Sequence, residues 1–132
     1  MASKKETNKQ DDLDFEIRFI ESVLQRNPLF LEALIALGDL YTKRGFYEKG
    51  LGVDKKILKL KPHDPIVLYN LACSYSLVNE IEKSLEAMKS AVEAGYSDFR
   101  YLEKDNDLEN LRHDSRFQEF LSTLKKETAK NK

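Results

Sequence analysis

Residues 31–64 read LEALIALGDLYTKRGFYEKGLGVDKKILKLKPHD, and residues 65–98 read PIVLYNLACSYSLVNEIEKSLEAMKSAVEAGYSD. When the first stretch is laid over the second with a shift of 34 positions, leucine falls on leucine and tyrosine on tyrosine at helical spacing. The matched pairs are Leu34 with Leu68, Leu37 with Leu71, Tyr41 with Tyr75 and Leu51 with Leu85. Small residues coincide as well, Gly38 with Ala72 and Gly50 with Ser84. A period of this length with apolar residues three and four apart predicts a stack of helix–turn–helix units, and therefore an all-α fold.

The two stretches resemble the tetratricopeptide repeat (TPR) family. Besides the matched pairs, the resemblance rests on Gly45, Tyr47, Leu58 and Pro62 in the first unit and on Ala91 and Val92 in the second. The chain departs from the family at Asp54 and Met88, where a large aromatic residue is typical, and at Tyr96, which replaces the closing proline. The resemblance covers about residues 14–124 and implies a right-handed α-α superhelix, a short array of bacterial type with a divergent closing unit.

The same period sets the expected organisation of the chain. Pro28 lies 34 positions before Pro62, so the segment ending there matches only the second half of a unit, and Phe15, Ile20, Val23 and Leu24 are predicted to form its core stripe. The TPR-like domain is predicted to span residues 13–124. The predicted segments are a disordered lead-in (1–12), a capping half-unit (13–28), a first unit (31–64), a second unit (65–98), a closing unit (99–124) and a lysine-rich tail that frays (125–132).

Composition narrows the classes of function. The 22 Lys and Arg residues nearly balance 23 Asp and Glu, and a net charge of -1 offers no bulk field for nucleic acid. The first twelve residues lack an apolar run, and one cysteine, Cys73, cannot form an internal disulfide. We therefore expect a cytoplasmic protein with no secretion signal, no membrane insertion and no nucleic-acid partner.

No set of residues predicts catalysis. His63 and His113 stand beside turn residues far apart in sequence, and Cys73 has no histidine at a spacing that would activate it. A glycine-rich phosphate loop is also lacking. We therefore expect a non-enzymatic protein with no catalytic residues, no metal site and no cofactor.

The candidate site lies on the first helix of each unit. Residues that point away from the core stripe and stand three and four positions apart from one another share a second face of that helix. In the TPR family that face lines a concave groove where partner peptides bind. Apolar side chains at Ile35, Ile66 and Tyr69 on a face expected to be exposed predict a contact site. The predicted groove residues are Ile35, Asp39, Thr42, Ile66, Tyr69, Asn70, Cys73, Ser76 and Arg100.

The expected function is therefore a protein-interaction module that binds a peptide or helix of another protein in this groove. Ile35 and Asp39 stand where TPR domains that clamp chaperone carboxylates have Lys and Asn, so no carboxylate clamp is expected although Asn70 fits one. Two alternatives stay open: a self-assembling scaffold that forms a homo-oligomer, and a small chaperone dedicated to a secreted or membrane-bound client.

Overall fold

The computed structural model describes residues 4–130, and these fold into helices with no strand. The helices are α1 (Lys4–Arg26), α2 (Leu31–Arg44), α3 (Tyr47–Leu60), α4 (Pro65–Leu77), α5 (Ile81–Glu93), α6 (Glu109–Arg112) and α7 (Ser115–Lys130), with 3-10 turns at Tyr101–Glu103 and Asn106–Leu108. The all-α prediction is confirmed. The chain divides into two compact units, one ending at Lys61 and the other beginning at Pro62. These compact units, which differ from the predicted repeat units, are called the first and second units below.

In the first unit, α2 and α3 form a hairpin, and two glycines of the repeat pattern, Gly45 and Gly38, mark its turn and its contact point. Gly45 adopts the left-handed conformation with φ 87°, and its N–H donates to the Thr42 carbonyl at 3.1 Å. A Cβ atom at Gly38 would lie 3.2 Å from Asp54 Oδ1 and 3.6 Å from Val53 Cγ1. Glycine at this position therefore lets the two helices approach closely.

In the second unit, α4 and α5 form the corresponding hairpin. Asp64 caps α4 by accepting hydrogen bonds from the N–H groups of Ile66 (2.9 Å) and Val67 (3.2 Å), and Pro65 occupies the first position of the helix. The Ser84 hydroxyl donates to the Ala72 carbonyl at 2.6 Å, across the place where the two helices cross. A small residue on each helix therefore holds this hairpin together.

The closing segment, residues 99–124, completes the second unit. Leu102, Leu108 and Leu111 are fully buried and Phe117 is 1% exposed. Because these side chains cover the apolar surface of α4 and α5, they form the core of this unit. Phe120 and Leu121 of the same segment are half-buried.

The ends of the chain differ from the predicted disorder and fraying. α1 begins at Lys4, well before residue 12, and α7 continues to Lys130. Neither helix contains Gly or Pro, so each propagates beyond the part that packs on its unit, at little cost per added residue. Residues 1–3 and 131–132, which belong to the predicted lead-in and tail, lie outside the described residues.

Candidate interaction surface

Of the five predicted groove residues on α4, three are buried and two are exposed. Tyr69 is 6% exposed, Cys73 is 6% exposed and Ser76 is fully buried. The closing segment covers all three, so the expectation that Tyr69 lies on an exposed face is wrong. The period of the repeat places these residues on one helix face correctly, but it does not reveal what packs over that face.

Asp105 of the closing segment is the centre of these contacts. Its carboxylate accepts a hydrogen bond from the Tyr69 hydroxyl, and the Cys73 thiol lies 3.7 Å from the same oxygen, Oδ2. The other oxygen accepts from the N–H of Asp107 at 2.9 Å, which caps the second 3-10 turn. Asp105 is itself 9% exposed, so one side chain both orders the closing segment and binds α4.

Ser76 anchors the other end of the covered face. Its hydroxyl accepts from the N–H of Leu111 at 3.2 Å, and its carbonyl accepts from Asn110 Nδ2 at 2.9 Å. Arg112 braces the closing segment itself, because its Nη1 donates to the carbonyls of Leu102 (3.1 Å) and Asp105 (2.5 Å). These bonds fix the closing segment on α4 and leave no free groove there.

Aromatic packing and burial tune the titration of this cluster. The Tyr69 ring stacks on the Tyr96 ring with centroids 4.5 Å apart, and Tyr101 lies tilted at 6.2 Å. Burial raises the pKa of the Tyr69 hydroxyl, and it raises the pKa of Tyr96 to about 12. Burial also raises the pKa of the Cys73 thiol, with the Asp105 carboxylate as the next cause, so this cysteine is held as an unreactive thiol.

The remaining predicted residues of the second unit are exposed. Ile66 is 55% exposed, and Asn70 and Arg100 are also exposed. The exposure of Ile66 was predicted, but the structure does not bring it together with the buried Tyr69, Cys73 and Ser76 into one open groove.

On α2, the residues at the same positions of the repeat are open. Ile35 is 49% exposed, as predicted. Asp39 is exposed and pairs with Lys43 at 2.9 Å, and this hydrogen bond raises the pKa of the lysine. Thr42 turns inward instead, because its hydroxyl donates to the Gly38 carbonyl at 3.1 Å.

Beside Asp39 runs a groove between α1 and α2, with a volume of about 340 Å³. We call it the α1–α2 groove; its lining residues are Phe15, Glu16, Phe19, Ile20, Ala36, Asp39, Leu40 and Lys43. Phe15 and Phe19 stand on its rim, 65% and 60% exposed. The prediction that Phe15 belongs to a core stripe is wrong, because Ile17 and not Phe15 faces the core of this unit.

Polar contacts fix the two walls of the groove against each other. The Tyr41 hydroxyl of α2 donates to Glu21 Oε2 of α1 at 2.5 Å, and Arg44 Nε donates to Asp14 Oδ1 at 2.8 Å. Burial and the Glu21 carboxylate raise the pKa of Tyr41, so its hydroxyl stays a donor. The groove is therefore preformed and does not depend on a bound partner for its shape.

The repeat contains a signal for these phenylalanines that the apolar spacing alone obscures. At 34-residue intervals Phe15 falls on Lys49 and Lys83, which are both exposed. Phe19 falls on Val53 and Ala87, which are 6% and 7% exposed. Phe15 thus occupies a position that is exposed to solvent on α3 and α5. Phe19 occupies a position that, on α3 and α5, is covered by the first helix of the hairpin.

The described residues contain neither a metal site nor a membrane-spanning helix. Among the side chains that the structure describes, those of residues 8–130, no three His, Cys, Asp or Glu lie close enough together to bind a metal ion. His63 and His113 are exposed. None of the helices in the described part of the chain combines the length and apolar character needed to cross a bilayer.

Comparisons with known proteins agree with the fold. A solved structure of MamA (residues 41 to the end) from Desulfovibrio magneticus RS-1, a TPR-containing protein, superposes with a TM-score of 0.64. It covers 91% of this chain and 70% of the MamA chain at 22% sequence identity, so the chain has a TPR-like helical fold. No family model matches the sequence.

One curated relative shares part of its sequence with this chain. It is a chloroplastic protein of Arabidopsis thaliana, 36% identical over 84 residues. The match spans 61% of this chain but only 25% of that protein, so the chain corresponds to about a quarter of the relative.

Proposed function

We propose that the chain is a non-enzymatic protein-interaction module that binds a helix or peptide of a protein partner in the α1–α2 groove. The TPR-like fold supports a role in protein interaction or scaffolding, because proteins with such folds typically serve as interaction modules. The cytoplasm is the proposed compartment, and an organelle is the alternative, since the name of the Arabidopsis relative places that protein in the chloroplast.

The observation that carries the proposal is the pair of exposed phenylalanines, Phe15 and Phe19, on the rim of the α1–α2 groove. Large aromatic side chains that stand exposed beside an apolar groove are typical of binding surfaces, since they gain the most from being covered. Ile35, one helical turn before Asp39 on α2, adds another exposed apolar side chain, and the Asp39–Lys43 ion pair supplies a polar edge that sets register.

The proposal moves the centre of the site relative to the sequence prediction. Ile35 and Asp39 remain binding residues, and Ile66, Asn70 and Arg100 remain exposed candidates on the second unit. Tyr69, Cys73 and Ser76 are assigned to the interior instead, because a partner would have to displace the closing segment to reach them.

Selection from a peptide library displayed on phage tests the proposal with the intact chain as bait. Peptides selected on the wild type should bind Phe19→Ser at least about tenfold more weakly, because aromatic anchors dominate small interfaces. The matched control is Leu60→Ser, which removes another exposed apolar side chain, on α3, and should leave binding unchanged. Peptides that bind Phe19→Ser as tightly as the wild type would contradict the proposal, and so would a library that yields no binder for a wild type that also stays monomeric.

A further inference from the structure

We infer that the partner of the α1–α2 groove is a second copy of this chain, whose α1 lies antiparallel along α1 of the first copy. The inference rests on the proposed function, since it names the occupant of the same groove. It is carried by the repeat register of α1, by the charge pattern of its exposed face and by the amount of apolar surface left uncovered.

The repeat register of α1 indicates which kind of structural element would pack against its exposed face. α1 matches the second helix of a hairpin, as α3 and α5 do, and each of those packs against a first helix, α2 or α4, that precedes it. Val53 and Ala87 are buried in those hairpins, whereas Phe19, at the corresponding position of α1, is 60% exposed. Helices joined by a short turn run antiparallel, so an antiparallel helix is the element that this face of α1 lacks among the described residues.

The exposed face of α1 forms one stripe of residues spaced three and four apart. Its members are Asn8, Asp12, Phe15, Phe19, Ser22 and Arg26, all exposed. The stripe is acidic toward the start of the helix and basic at its end, with the two phenylalanines between.

This charge pattern selects the antiparallel arrangement of two copies. With Phe19 on the two-fold axis, Asp12 of each copy lies opposite Arg26 of the other, the two Phe19 side chains meet in the middle, and Phe15 lies opposite Val23. A parallel arrangement would place Asp12 beside Asp12 and Arg26 beside Arg26, which is unfavourable. Ser22 lies opposite Glu16, which stands on α1 at the repeat position of Gly50 and Ser84, so the small side chain of Ser22 leaves room for the longer glutamate.

A symmetric contact also covers the exposed apolar surface of both copies in a single interface. Each copy carries the same two phenylalanines, and a two-fold interface uses one patch on both copies, so four rings are covered at once. Because the patch is short, the interface lies at the small end of the range for protein pairs. The dimer should therefore dissociate on dilution.

The oligomeric state across concentration tests the inference. Light scattering coupled to size exclusion, together with sedimentation velocity, should show the wild type passing from monomer to dimer as concentration rises. Phe19→Ser should remain monomeric at concentrations where the wild type is dimeric. Glu86→Arg, which changes an exposed charge on α5 by the same amount as the variants below, should dimerise like the wild type.

A charge exchange tests the antiparallel register itself. Asp12→Arg alone places two cations opposite each other, and Arg26→Asp alone places two anions opposite each other, so each should weaken the dimer at least about tenfold. A mixture of the two single variants should form a heterodimer, because each position then faces its opposite charge, and the double variant should recover the wild-type dimer. Circular dichroism on every variant checks that the helices are intact.

The outcomes separate this inference from the proposed function. A wild type that stays monomeric up to its solubility limit, or a dimer that survives Phe19→Ser, overturns the inference. So does a mixture of the charge variants that forms no heterodimer. If the monomeric wild type still binds selected peptides through Phe19, the groove takes another protein and the proposed function stands; if it binds neither, both fail.

Discussion

The same face of the first hairpin helix, as defined by the 34-residue repeat, has opposite surroundings on α2 and on α4. Ile35 and Asp39 of α2 are exposed, whereas Tyr69 and Cys73, each 34 positions later, are buried beneath the closing segment. The difference teaches that a repeat register fixes the direction of a side chain relative to its own helix. Whether that side chain meets solvent depends on the element that follows.

The chemistry of the two faces agrees with this division. The covered face presents a phenol, a thiol and a hydroxyl, which meet a carboxylate and backbone groups of the closing segment. The open face presents an isoleucine and an aspartate paired with a lysine of its own helix, beside two exposed phenylalanines. One face therefore makes an internal contact, and the other is exposed to solvent.

The largest difference should appear when matched positions of the two faces are truncated. Tyr69→Ala should lower the free energy of unfolding by about 3–5 kcal/mol, because it removes a buried ring and one of the hydrogen bonds to the Asp105 carboxylate. Ile35→Ala, at the corresponding position of α2, should cost less than about 1 kcal/mol. Urea denaturation of both variants checks the pair, and equal losses would break the comparison.

Overpacking should discriminate between a buried and an open alanine. Ala72 is fully buried at the crossing of α4 and α5, so Ala72→Leu should lower the free energy of unfolding by about 1–3 kcal/mol. Ala36 lines the α1–α2 groove, so Ala36→Leu should cost less than about 0.5 kcal/mol while filling the groove and weakening binding. A loss on Ala36→Leu as large as that on Ala72→Leu would show that the groove is not free.

Alkaline pH should expose the buried phenols. Burial raises the pKa of Tyr69 and Tyr96 above the ordinary value of 10.0, so the folded state keeps both protons longer than the unfolded chain does. This stabilisation is complete below about pH 10 and is lost as the pH rises through the raised values. The free energy of unfolding should therefore be lower at about pH 11 than at about pH 9, and this decrease should be smaller in Tyr69→Phe than in the wild type. An unchanged slope in that variant would contradict the burial of its hydroxyl.

The smallest effect is expected at the exposed carboxylate of the open face. Asp39→Asn removes a solvated ion pair within α2, so it should change the free energy of unfolding by less than about 0.5 kcal/mol. Thermal or urea denaturation at low and high salt checks this. A loss well above that value would mean that Asp39 holds more of the unit together than its contact with Lys43.

Much of the fold followed from the sequence because its determinants are local. Gly45 requires a left-handed turn, Asp64 with Pro65 starts a helix, and Gly38 marks a close approach of two helices. Each of these acts within a few residues or within one hairpin. The 34-residue period carries them from one unit to the next.

The site was less predictable because it depends on contacts between distant segments. The bond between Tyr69 and Asp105 joins residues 36 positions apart, and nothing in the spacing of α4 announces it. Phe15 was assigned to the core from its apolar character alone, although the repeat aligns it with exposed lysines. The equivalents of Phe15 in the other units therefore predict its exposure, whereas those of Phe19, Val53 and Ala87, are buried and do not.

Thiol reactivity at matched positions tests most directly the claim that one face is open and the other covered. Asp39→Cys in a Cys73→Ser background places a thiol on α2 at the position that Cys73 holds on α4. With a soluble disulfide reagent, monomeric protein carrying the α2 thiol should react about as fast as an unstructured peptide, and the native Cys73 at least about tenfold more slowly, since its modification requires local opening. Equal rates for the two thiols, or a faster reaction at Cys73, would contradict the account.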